Sequence, residues 1–149
     1  MRTPLGVLLA AVCVLHVVGI GWGLPATDGW DNDGVAPRDF LPGLIETFSP
    51  GKYYTYPPFH LALLALVTLP VTATALVRAP SLDVDAVVGE ILKPSYMTAS
   101  ALLARLVTVA MSIGLAWAAA KIAEEVRGAR AGLLAAAACS VAVPIRAVM

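Results

Sequence analysis

The residues able to do chemistry lie on one stretch between two apolar runs: Trp30-Asp31-Asn32-Asp33-Gly34, then Tyr53-Tyr54-Thr55-Tyr56-Pro57-Pro58-Phe59-His60. A carboxylate such as Asp33, held just outside a membrane helix, can act as a general base. It would take the proton from an acceptor hydroxyl as that hydroxyl attacks a sugar's anomeric carbon. A lipid phosphate at the same depth is already a good leaving group, so no strong general acid is required. Three other readings of the acidic turn stand beside this one. Asp31-Asn32-Asp33 is formally a D-x-D, but metal-holding D-x-D motifs follow a strand of an α/β domain, and the sequence predicts no such domain. A calcium loop would need acids where Gly29 and Phe40 stand. The plain alternative is a solvated turn.

Other polar residues carry weaker signals. Arg105 lies within an apolar segment, where charge is expensive and functional by default. The competing reading is a side chain that snorkels to the interface. His60 has no visible metal partners and suits an interfacial hydrogen bond. His16, inside the first apolar run, reads as a packed, hydrogen-bonded polar residue. Tyr53, Tyr54, Tyr56, Trp22 and Trp30 suit an interfacial aromatic belt, with stacking on a sugar as the sharper use. Cys13 and Cys139 sit in apolar runs and read as small buried hydrophobes. No Ser-His-Asp spacing, P-loop or Cys/His cluster occurs, so nothing points to a hydrolase, an NTPase or a zinc site.

The elements that must position these residues are apolar. The chain has 149 residues, 59% hydrophobic and 13% charged, with mean hydropathy +0.82. Soluble domains average about 45–50% apolar and about 25% charged, so composition predicts an all-α integral membrane protein. Formal net charge is zero, which implies neither a nucleic-acid partner nor a polybasic lipid patch. The pattern predicts three to four hydrophobic helices in a single module: a helix over 5–24, an external loop over 25–57, a helix over 58–78, a helix over 96–121 and a helix over 129–148. Within the loop, Phe40, Leu41, Leu44, Ile45 and Phe48 recur at helical spacing behind a capping Asp39. That predicts a short juxtamembrane helix, either on the bilayer surface or packed on its neighbours.

Pro70 sits in the middle of 58–78, where it removes a helix hydrogen bond. This predicts a broken or juxtamembrane helix, whether a kinked span, re-entrant or surface-lying, with Thr68, Thr72 and Thr74 placed to satisfy freed backbone groups. Arg2 puts the N-terminus inside, and Lys121, Arg127 and Arg130 put the later turn inside too. Both hold if 58–78 does not cross fully. The loop at 25–57 and the stretch 79–95 are then extracytoplasmic.

In order along the chain, these residues resemble the N-terminal part of the GT-C glycosyltransferases, the ArnT-like and protein O-mannosyltransferase relatives. Asp33 matches the acidic motif after helix one. Tyr56-Pro57-Pro58-Phe59-His60 matches the motif opening the next hydrophobic helix. Leu102-Leu103-Ala104-Arg105-Leu106-Val107 and Arg130-Ala131-Gly132-Leu133-Leu134-Ala135 resemble two later segments. The resemblance implies inverting sugar transfer from a polyprenyl-phosphate donor, with Asp33 as base and Asp31, Tyr56, Pro57, His60 and Arg105 toward the substrates. It implies membrane lipid and the lipid-linked sugar as partners, no resident cofactor, and leaves a divalent metal open.

Two departures stand out. Gly34 replaces a frequent glutamate, and the sequence stops at Met149 where the family continues. The expectation is an N-terminal fragment whose missing remainder would be a partner. Two alternatives stay open. One is a small non-catalytic membrane protein that packs with partner helices through Ala/Gly faces. The other is a secreted or anchored binding loop, if the first apolar run is a signal peptide.

Overall fold

The computed structural model describes residues 2–21, 24, 40–50 and 58–146, and these are all-helical with no strand among them. Six helices follow in order: α1 Arg2–Val18, α2 Phe40–Thr47, α3 Pro58–Arg78, α4 Val84–Ile91, α5 Pro94–Arg127 and α6 Ala129–Arg146. Two of them, α3 and α5, are long and apolar enough to cross a membrane, while α1 and α6 carry shorter apolar runs. The chain forms two compact units. One holds α1, α5 from Leu106 onward, and α6. The other holds α2, α3, α4 and α5 up to Arg105.

In the first unit α1 packs on α6, and α5 meets α6 at Gly132. Val109, Ser112, Ala116 and Ala120 are buried on α5, and Gly132 and Ala136 on α6. The contact is close. A Cβ added to Gly132 would lie 2.8 Å from the Ala120 carbonyl oxygen and 3.2 Å from Glu124 Cβ. Between the helices, Gly128 takes φ +83°, a left-handed conformation that side chains resist. Its N–H donates to the Glu124 carbonyl at 2.9 Å, closing α5 before α6 begins. Helix α1 ends at Val18 rather than reaching Leu24. Gly19 and Gly21 lie in the turn that follows, with Ile20 N–H on the Val17 carbonyl at 3.1 Å.

In the second unit α2 packs on α3, and α3 on α4. Phe40 and Leu61 are buried, whereas Ile45 and Phe48 on α2 stay exposed. Of the two expectations for α2, the structure shows the packing on a neighbour. Capping by Asp39 lies outside the described residues. Met97 and Ala101 form a small core with Leu24 and Leu92 against them.

Helix α4 falls in the stretch 79–95, for which no helix was anticipated. Asp83 supplies its extended N-cap backbone, while the Asp83 carboxylate accepts from Ser81 Oγ at 2.8 Å instead of capping. Buried Glu90 takes a charge-assisted bond of 2.5 Å from Lys93 Nζ.

The break expected at Pro70 is absent, because α3 runs unbroken from Pro58 to Arg78. Proline there frees the Leu66 carbonyl. Thr68 donates to Leu64 O at 2.8 Å, Thr72 to Thr68 O at 3.3 Å and Thr74 to Pro70 O at 2.7 Å. None of these acceptors is the Leu66 carbonyl. The hydroxyls bond back within their own turns, a habit that bends helices rather than ending them.

Large apolar side chains are mostly outside and small ones inside. Of twelve buried hydrophobic residues, six are alanine, while 22 large hydrophobics are exposed among the described residues. The uncovered ones include Leu15 and Val18 on α1, Leu66 and Val77 on α3, and Leu115 and Trp117 on α5.

Gly132→Ala should destabilise the α5–α6 pair by about 1–3 kcal/mol, since the obstructing atom is backbone and cannot turn aside. Gly89→Ala, in exposed α4 with nothing within 4 Å of the new Cβ, should instead gain about 0.5–1 kcal/mol. Thermal unfolding of both variants in detergent checks the opposite signs.

Candidate functional site

Four of the six residues assigned to substrates or catalysis, Asp31, Asp33, Tyr56 and Pro57, lie outside the described residues. The other two are placed. His60 is the third residue of α3, in its first turn and half-buried. Pro58 opens that helix, at the position where a missing N–H costs least. Arg105 is half-buried in α5, eleven residues after Pro94, about 16 Å along the helix. No hydrogen bond or ion pair among the described residues joins His60 to Arg105. Beyond Arg105, Leu106–Ala120 is an uncharged run of fifteen residues, about 22 Å long, with Lys121 at its far end.

Among the described residues no three His, Cys, Asp or Glu side chains converge as metal ligands. Cys13 and Cys139 are free thiols, half-buried in α1 and α6. His16 is hydrogen-bonded, as expected for a packed residue. Its Nδ1 sits 2.8 Å from the Val12 carbonyl oxygen, so Nδ1 carries the proton and donates one turn back. Nε2 is buried and has no partner among the described residues.

The first unit also contains a cleft that the sequence reading passed over. Its volume is about 650 Å³. Leu5 and Leu9 of α1, Trp117 of α5 and Leu133 of α6 give it apolar walls. Lys121, Glu124 and Arg130 stand among them. Lys121 Nζ pairs with Glu124 Oε2 at 2.8 Å. Arg130, exposed in the first turn of α6, makes no hydrogen bond or ion pair among the described residues. The Lys121–Arg130 cluster was visible in the sequence, but only as a topology signal. Nothing there showed that the start of α1 would meet it.

No protein-family model, curated protein or solved structure matches the chain. The family resemblance therefore stands on the sequence motifs alone.

His16→Leu should leave stability unchanged or raise it by about 1 kcal/mol, because it removes a buried acceptor with no partner. The melting temperature in detergent measures this. A clear drop would mean that Nε2 holds a group in solution.

Proposed function

We propose that this chain is an integral membrane protein and forms the N-terminal module of a GT-C-type transferase using a polyprenyl-phosphate-linked sugar. The observation that carries the membrane part is the inverted distribution of side-chain size. Helices in lipid gain nothing by burying leucine, so they pack through small residues and leave large ones to the acyl chains. Half of the buried hydrophobic residues are alanine and α5 meets α6 at a glycine, while leucine, valine and tryptophan stand exposed among the described residues. In water such a surface would be an association liability.

The first unit supports one sidedness. The cleft brings the first turns of α1 to the end of α5 and the start of α6. If α1 and α5 both cross, Arg2, Lys121, Arg127 and Arg130 share one side, which the positive-inside rule makes cytoplasmic. Residues 25–57 then emerge on the other side, and the chain between α1 and α5 begins and ends there. Helix α3, long enough to span, does not carry the chain across in this arrangement.

The transferase part is supported by the order of the motifs. Asp33 follows α1, His60 lies in the first turn of α3, Arg105 lies in α5 and Arg130 opens α6. In the proposed step an acceptor hydroxyl attacks the anomeric carbon with inversion. The bond from that carbon to the phosphate oxygen breaks, polyprenyl phosphate leaves with the electron pair, and Asp33 takes the hydroxyl proton. Asp31, Tyr56, Pro57, His60 and Arg105 would bind the substrates.

A second reading is a non-catalytic protein that packs with partner helices. It is favoured by Ala110, Gly114 and Ala118, one turn apart on α5. The first two are exposed, and Gly114 has nothing within 4 Å of its would-be Cβ. Such small-xxx-small faces let a second helix approach closely.

Two outcomes are expected. In a Cys13→Ala, Cys139→Ala background, Arg2→Cys, Lys121→Cys and Arg130→Cys should react with an impermeant maleimide from one side of the membrane, and Arg105→Cys from the other. Labelling of Arg2→Cys and Lys121→Cys from opposite sides would overturn the sidedness. Membranes carrying the chain, or the chain extended through its downstream reading frame, should transfer labelled sugar from polyprenyl phosphate. Asp33→Asn should cut the rate by about 10²–10⁴. Absence of transfer, with self-association lost in Gly114→Ile, would favour the packing reading.

A further inference from the structure

The cleft of the first unit has the two halves of a lipid site. Leu5, Leu9 and Leu133 supply apolar wall, and Arg130 and Lys121 supply positive charge beside it. The balance among its charged residues is one net positive charge, since Glu124 offsets Lys121 through their 2.8 Å contact. That leaves Arg130 with no counter-ion among the described residues. Trp117 lines the same cleft and is half exposed, as an indole at a membrane–water boundary would be.

We propose that this cleft binds an anionic phospholipid, its phosphate on Arg130 and Lys121 and the first part of its acyl chain along the leucines. The proposal rests on the membrane part of the reading above and not on sugar transfer. The guanidinium fork matches two phosphate oxygens, and the lysine adds a point charge. A soluble phosphate would leave the leucine walls unused, and a neutral lipid would leave Arg130 unmatched. The volume of about 650 Å³ falls in the usual range for ligand pockets. Basic pockets between membrane helices on the cytoplasmic side take such headgroups, and the proposed sidedness puts this cleft there.

The test uses the full chain in phosphatidylcholine bilayers holding a minor fraction of phosphatidylglycerol. Trp22→Phe and Trp30→Phe leave Trp117 as the reporter. Brominated chains are placed on one lipid or the other, and quenching of Trp117 is titrated. Phosphatidylglycerol should be preferred about fivefold, the effect of one added charge near the surface. Arg130→Gln should abolish the preference, and Arg130→Lys should keep part of it. Arg127→Gln, exposed on the same turn but outside the cleft, should leave it intact.

Equal quenching by both lipids would overturn the proposal. So would an equal loss of preference in Arg127→Gln, which would mean diffuse surface attraction. Reversal by excess glycerol phosphate would reassign the site to a soluble anion. No quenching by either lipid would instead sink the membrane reading itself, an outcome distinct from the others.

Discussion

Two backbones touch at Gly132. The position a Cβ would take lies 2.8 Å from the Ala120 carbonyl oxygen, so only glycine lets α6 lie this near α5. Much of the first unit depends on that approach. It holds Arg130 and Leu133, on either side of Gly132, beside Lys121 and Glu124. Ala136, one turn further along α6, is buried as well. Gly128 does the complementary work: its left-handed φ reverses the chain within one residue, so the seam begins at once.

The seam also explains where the large side chains go. Helices that meet through alanine and glycine have no interior room for leucine, and their leucines must face out. Close backbone approach and an apolar exterior are therefore one design, and a hydrocarbon solvent reconciles them. The first unit puts charge only at its ends, with the Lys121–Arg130 turn at one of them, and the uncharged run of α5 lies between Arg105 and that turn.

Much of the helical architecture was legible in the sequence. Long apolar runs announce helices whatever their tertiary setting, but α5 runs past its expected end at 121 to Arg127, because its charged last turns still form helix until Gly128. The ends were less legible. Helix α1 stops at Val18 because a Gly-Ile-Gly turn outweighs the apolar run that continues past it. Helix α4 was not anticipated because it follows a bend at Pro80 and its N-cap Asp83 makes no side-chain capping bond. Pro70 was expected to break α3 because proline forfeits a hydrogen bond, but one lost bond does not end a helix of 21 residues. The candidate site was legible only as motifs, since Asp31, Asp33, Tyr56 and Pro57 are not among the described residues. The cleft was not legible at all, because its two walls are more than a hundred residues apart in sequence.

The threonines of α3 have one more effect. Each of Thr68, Thr72 and Thr74 donates its hydroxyl hydrogen to a carbonyl of its own helix, leaving no free donor for water or a headgroup to grip. To its surroundings each is close to a valine in shape and in manners. In the proposed membrane setting, no hydroxyl along α3 would then fix its depth or tilt. That task would fall to the packing of α3 on α2 and α4 and to the polar groups at its two ends, the half-buried imidazole of His60 and the exposed guanidinium of Arg78.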